Sequence, residues 1–363
     1  MINVKPIIFS GNKDSLANIK KDDKQVFWLN DMQTDSKSMV EYSNITGEII
    51  ERDIFNEEYF FFCDRINKEI YLYQIVQQTL FIKNFDGSSL LLVCNTNFTN
   101  EECIEEVNAF GGYIFVKIYC GDFGRRCRMY SREHKVWYKV NDFAFVNTVG
   151  MIEVIKKQGR NYLIFEESYF MNYEIPDLRM KDGSVEFEKL NNKVLLVDFD
   201  EFIFAIKKNN DIKYSVLLSS QGNQYISFLG ISEGKIICFK KAENDNIIVS
   251  IFLEDYTRIE KSISRVITEI SVTDNVNYIS YDNGKYYIYN SDRNLIFEKS
   301  DSFDFEDVGL ALVSDDQYAI FYGYEYHDNN NNEKQKVYSI IDMKTNEQQM
   351  YKCNNIVIND CVI

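Results

Sequence analysis

Short runs of aromatic and β-branched residues recur along this chain, each followed after a few polar residues by a second run. Gln25-Val26-Phe27-Trp28-Leu29, Tyr59-Phe60-Phe61-Phe62-Cys63, Tyr113-Ile114-Phe115-Val116-Lys117 and Lys235-Ile236-Ile237-Cys238-Phe239 are examples. Their length and polar flanks predict β-strands. Several are continuous instead of alternating, as expected for strands covered on both faces. Paired runs begin near Val26, Glu69, Cys127, Asn161, Ile212, Asn246, Lys285 and Lys336. Their intervals of roughly 35 to 57 residues are those of a stacked or radial repeat.

The clearest unit covers residues 266–298, where 268–272, 278–281, 285–289 and 295–298 read as four strands. Asp282-Asn283-Gly284 supplies the positive φ that a tight reversal needs. A four-stranded meander of this size is a propeller blade. The same order is read at 194–229, with 194–197, 202–206, 214–218 and 225–228 as strands, and at 308–352 around the polar insertion 328–333. The N-terminal segment offers about three strands, while Ile356-Val357-Ile358 and Cys361-Val362-Ile363 are left over at the end. Pairing the two termini would complete the first blade and leave no sheet edge open. The expected fold is therefore all-β: a single β-propeller domain over 1–363, counted at eight blades with seven as the alternative, closed by its N- and C-terminal strands. One short inserted helix is expected at 99–110. There Thr99 and Glu102 form a capping box, Cys103, Ile104, Val107 and Phe110 follow at helical spacing, and Gly111-Gly112 stops the run. Residues 253–267 fit helix as well as strand, since Leu253, Tyr256, Ile259, Ile263 and Val266 keep a helical period.

The run Asp282-Asn283-Gly284-Lys285-Tyr286-Tyr287-Ile288-Tyr289 resembles the turn and strand of degenerate β-propeller repeats, the WG type among them, with Tyr286-Tyr287 in place of Trp-Gly. The Gly-His and Trp-Asp signature of WD repeats and the regular double glycines of kelch repeats are missing. Ser280-Tyr281-Asp282-Asn283-Gly284 matches the opening of an Asp-box but falls on the wrong turn for that motif. The resemblance implies an architecture and transfers no functional residue.

Composition narrows the classes. Hydrophobic residues make up 45% and aromatics 15% of 363 residues, enough for a large core. With only Pro6 and Pro176, turns must rest on Gly, Asn, Asp and Ser. A net charge of −16 repels phosphate, which disfavours nucleic acid and anionic membranes and would steer a basic partner inward. No apolar stretch reaches membrane-spanning length, and Met1-Ile2-Asn3-Val4-Lys5 opens no signal peptide, so a cytoplasmic location is expected. The eight scattered cysteines are read as reduced, mostly buried thiols.

No constellation specifies catalysis. The two histidines, His134 and His327, lie beside no nucleophile motif and lack the spacing of a metal-binding helix. Cys103, Cys120, Cys127 and His134 are acceptable zinc ligands, but six residues separate the last three where a knuckle needs two to four. No metal, cofactor or catalytic residue is assigned. Asp198, Asp200 and Glu201 follow the run 194–197, read as an inner strand, and would suit a carbohydrate-binding or carbohydrate-active propeller if they lined an axial opening.

Charge departs most from average in two windows. Lys117, Arg125, Arg126, Arg128, Arg132, Lys135 and Lys139 accompany Tyr130, Trp137 and Tyr138, a local inversion in an acidic chain. On strands, alternation would split these side chains over two faces. Between 301 and 333, Asp301, Asp304, Glu306, Asp307, Asp315, Asp316, Glu325, Asp328 and Glu333 occur without a Lys or Arg. The expected function is a non-catalytic protein-interaction module. Arg125, Arg126, Arg128, Arg132 and Trp137 form one contact patch, and Asp315, Asp316 and Glu325 form another for a basic partner protein. The oligomeric state stays open.

Overall fold

The computed structural model describes the chain from Ile7 to Val362; residues 1–6, 9–12, 84–89, 96–102, 120–124, 168–191, 264–268 and 327–333, with some shorter stretches, lie outside the description. Among the described residues, 13–55, 59–95, 103–140, 148–219, 225–263, 269–300 and 306–352 each form a four-stranded antiparallel meander. A three-stranded sheet pairs Ile7–Ile8 with Ile356–Ile358 and the latter with Cys361–Val362. The expected pairing of the termini is present, but it does not complete the first meander. The polar strand Lys13–Lys21 pairs with Lys24–Asp31, so segment 13–55 supplies four strands of its own.

The unit expected at 266–298 is found as Glu269–Val272, Val276–Asp282, Lys285–Tyr289 and Leu295–Ser300. Its reversal places Asn283 at φ 51° and Gly284 at φ 72°, the left-handed pair a two-residue hairpin needs. The unit at 306–352 is likewise a meander, its insertion lying outside the described residues. The grouping read at 194–229 is corrected. Lys193–Asp198 and Ser215–Ser219 are the third and fourth strands of one meander, and Tyr225–Ser232 opens the next.

The run at 202–206 is not a strand but part of a helix, Phe199–Lys208. Asp198 caps its N-terminus, accepting from the amides of Asp200 (3.0 Å) and Glu201 (3.1 Å). Acids occupy the first turn, Lys207 and Lys208 the last, and Asn209 at φ 54° ends it. Phe199, Phe202, Ile203 and Ile206 share one buried face. A second helix is the four-residue turn Phe143–Val146, whose Phe145 amide donates to Asp142 at 2.7 Å. The helix expected at 99–110 is instead the strand Cys103–Phe110, with 99–102 outside the described residues. A register shift between Ile104 and Glu106 puts Ile104 and Val107 on the same face at a spacing of three, which imitates a helical period. The ambiguous stretch 253–267 resolves into a turn followed by the strand Arg258–Ile263, its last residues lying outside the description. Among the described residues, no helix is long and apolar enough to cross a membrane.

The meanders belong to two compact units, residues 58–262 and the paired segments 1–57 and 263–363. In the first, Leu163 and Phe165 join Phe115, Phe145, Phe202 and Leu195 in one core, while Ile164 joins Val194, Leu196, Ile236 and Val249 in another. Alternate residues of one strand thus fill two cores, which explains the continuous apolar runs. In the second unit Ile288, Phe297, Phe305, Phe321 and Val337 form a core, and Tyr318, Ile320, Tyr338 and Ile340 form another. Packing there leaves no room at Gly323: a Cβ would stand 2.3 Å from the Phe305 ring and 2.5 Å from the Glu306 carbonyl oxygen. Gly323→Ala is therefore expected to cost about 2 kcal/mol, read as a lower urea midpoint at unchanged slope.

Candidate functional site

The basic stretch occupies the outer two strands of meander 103–140, Arg125–Ser131 and Val136–Val140. Arg128 stands opposite Lys139, and Tyr130 opposite Trp137. Alternation sends Arg126, Arg128, Tyr130, Trp137 and Lys139 to one face, and Arg125 with Cys127 to the other. Arg126 and Lys139 are exposed, Arg128 is half-buried, and half-buried Trp137 rests on Tyr130 with ring centroids 5.0 Å apart.

Three other cations of the stretch have partners inside the unit. Arg125 pairs with Glu105 at 2.7 Å. Arg132 pairs with Glu69 and donates to the Tyr71 hydroxyl at 3.4 Å, tying this meander to 59–95. Burial, and then the Glu69 carboxylate, push the Tyr71 phenol well above its ordinary pKa. Lys117 is buried and reaches Glu106 at 2.6 Å and the Thr148 carbonyl at 3.2 Å. Of the predicted contact residues, the register therefore places Arg126, Arg128 and Trp137 on one face together with Lys139 and puts Arg125 on the other, while Arg132 lies on the turn, paired with Glu69.

The acidic window belongs to the other unit. Asp316 accepts from the Asn277 amide at 2.6 Å, and Glu325 pairs with Lys352 at 2.5 Å, so both fasten neighbouring chain segments. Asp301 accepts from the Tyr281 hydroxyl at 2.8 Å. Asp315, Asp328 and Glu333 lie outside the described residues, whereas Asp304, Glu306 and Asp307 are exposed.

The acids at 198–201 follow the third strand of their meander, not an inner one. Asp198 is committed to the helix cap and also faces Arg160 at 3.3 Å. Cys127 is buried in the aromatic core, which pushes its thiol up to about 12, while His134 is exposed on a turn near Glu133. Cys120 and His327 are outside the described residues. No cluster of three metal-ligating side chains occurs among the described residues.

Two buried carboxylates were not singled out in the sequence. Asp64 accepts from the amides of Ile66 (2.9 Å), Asn67 (3.0 Å), Gly111 (3.0 Å) and Gly112 (3.0 Å), and so knots meander 59–95 to the first hairpin of 103–140. Glu166 accepts from the Phe228 amide at 3.0 Å and the Asn192 side-chain amide at 3.1 Å, joining meanders 148–219 and 225–263. Burial pushes the Glu166 carboxyl up to about 7 against these hydrogen bonds. The other side-chain atom of Asn192, its Oδ1, is buried without a hydrogen-bond partner. The signal in both cases was an acid at the end of an apolar run, which sequence alone does not distinguish from a turn acid.

No family model matches the chain, and no curated protein matches it in sequence. In structure it is similar to the WD40 domain of SCAP from fission yeast, at 12% identity over 99% of this chain and 91% of that one, with a TM-score of 0.50. It is also similar to the uncharacterized protein lmo1340 from Listeria monocytogenes EGD-e, at 10% identity over 97% and 98% of the two chains and a TM-score of 0.50. A third similar structure is puromycin hydrolase, at 8% identity and a TM-score of 0.53; the match takes in 94% of this chain but 53% of the hydrolase, so the chain spans about half its length. Identities this low carry the fold and no activity. Together with the repeated meanders, they show that the chain has the β-propeller fold.

Proposed function

We propose that the chain is one β-propeller domain acting as a non-catalytic protein-interaction module in the cytoplasm. The observation that carries this reading is the placement of the exposed cations Arg126 and Lys139 on one strand face with Trp137. Arg126 and Lys139, exposed beside an aromatic, suit an acidic protein segment, with charge steering the encounter and the ring supplying contact area. The exposed acids Asp304, Glu306 and Asp307 suit a basic partner in the same manner. Asp316 and Glu325 have structural partners, so Asp304 and Glu306 are the better residues for charge reversal. The buried free thiols Cys127, Cys238 and Cys353 accord with a reducing compartment.

The test is binding to an array of acidic peptides containing tyrosine or tryptophan. Binding is expected to weaken with salt and to fall about tenfold in the double variant Arg126→Glu, Lys139→Glu. Equal binding by wild type and variant would remove this face from the reading.

A further inference from the structure

The helix Phe199–Lys208 buries Phe199, Phe202, Ile203, Ala205 and Ile206, yet Phe204 is 59% exposed. A lone exposed phenylalanine is ordinary on a protein surface. Here it forms part of a concavity: Phe204 lines a groove of about 590 Å³ with Val197, Ala205 and Ile212 as its other apolar members. Asp200, Glu201 and Asp211 line the same groove against a single cation, Lys213. Asp200 and Glu201 precede Phe204 by four and three residues, so both acids are its surface neighbours on the helix. Asp198, not these two, caps the helix, which leaves the Asp200 and Glu201 carboxylates exposed at the groove. Asp211 lies just past the helix C-terminus, where the dipole is negative as well. Lys207 in that last turn is directed elsewhere, donating to the Tyr113 hydroxyl at 2.9 Å. The groove thus combines an apolar lining with three carboxylates against one ammonium group.

We propose that this groove docks a peptide segment of a partner protein carrying an aliphatic or aromatic anchor flanked by lysine or arginine. The anchor packs on Phe204 and Ile212, and the flanking cations meet the carboxylates of Asp200, Glu201 and Asp211. An apolar contact with charged neighbours at its edge is the usual division between affinity and specificity in peptide recognition. The inference rests on the interaction-module reading but uses a surface separate from the Arg126–Lys139 face.

The probe is a random peptide library displayed on phage and selected on the immobilised protein. Enriched peptides are expected to place a large apolar residue next to Lys or Arg. Their affinity is expected to fall about tenfold in Phe204→Ser and in the pair Asp200→Lys, Glu201→Lys, and to weaken with salt. Phe204 is exposed, so its variant should melt with the wild type, and an altered melt would direct the test to the charge pair alone. Retained affinity in Arg126→Glu, Lys139→Glu would separate this groove from the strand face. Absence of peptides with an apolar residue beside Lys or Arg from the enriched set, or such peptides binding Phe204→Ser as well as wild type, would overturn the inference while leaving the acidic-peptide result to decide the broader reading.

Discussion

Replacing Asp64 with alanine is expected to lower the unfolding free energy by about 4 kcal/mol, the largest effect of any single polar substitution considered for this chain. The carboxylate is fully buried and takes four backbone amides, two from its own turn and two from Gly111 and Gly112 of the next meander. Truncation leaves those four donors without their acceptor. The nearby strand contact is the single parallel pairing of Asp64 with Ala109, which cannot compensate. Asp64→Asn keeps the shape and one acceptor oxygen and should recover part of the loss. Urea unfolding followed by tryptophan fluorescence measures both, and a loss below about 1 kcal/mol for Asp64→Ala would show that water replaces the carboxylate there.

Stability is expected to decline as pH rises toward and past neutrality, with Glu166 as a principal source. In the folded chain its carboxyl holds a proton up to about pH 7, against an ordinary value of 4.5. Between these values the native state binds more protons than the unfolded one, so stability falls with rising pH. The contribution is complete below pH 4.5 and lost as pH climbs through about 7, a total of about 3 kcal/mol. Asn192 supplies the means: turning its amide would present the unpartnered Oδ1 to the proton of a neutral Glu166. Glu166→Gln is a permanent neutral donor for that arrangement and should flatten the pH dependence relative to wild type. Parallel pH profiles for wild type and variant would refute the assignment, whatever other carboxylates contribute to the common slope.

Most strands were legible because two-sided burial turns them into continuous apolar runs between polar breaks. The tyrosine-rich strands at 276–289 and their Asn283-Gly284 reversal are the clearest case. The errors have a common physical origin in periods that coincide. A bulge between Ile104 and Glu106 spaces two strand residues three apart, so a strand passed for a helix. Phe199, Phe202, Ile203 and Ile206 do keep a helical period, and Asp198, Lys207, Lys208 and Asn209 mark the ends, but the dense run 202–206 read as a strand. Taking that helix for a strand displaced the meander boundary by two strands. The candidate surface was half legible. Pattern gave the basic residues, but only the register of 125–131 with 136–140 shows which share a face, and only contacts show that Arg125 and Arg132 are already paired. The groove at Phe204 could not be read at all once its helix was missed.

The pairing of Ile7 and Ile8 with Val357 and Ile356 also sets an order of events during synthesis. The unit 58–262 is continuous in sequence and can be assembled as soon as it leaves the ribosome, whereas the other is drawn from 1–57 and 263–363. Strand Ile7–Ile8 must therefore wait until Ile356–Ile358 has been synthesised before its partner exists, and closing so long a loop is the slowest kind of native contact to form. During that interval its backbone donors and acceptors are an unpaired edge, so a nascent chain is exposed to chaperones, or to wrong pairing with a second copy, until residues 356–358 have been made.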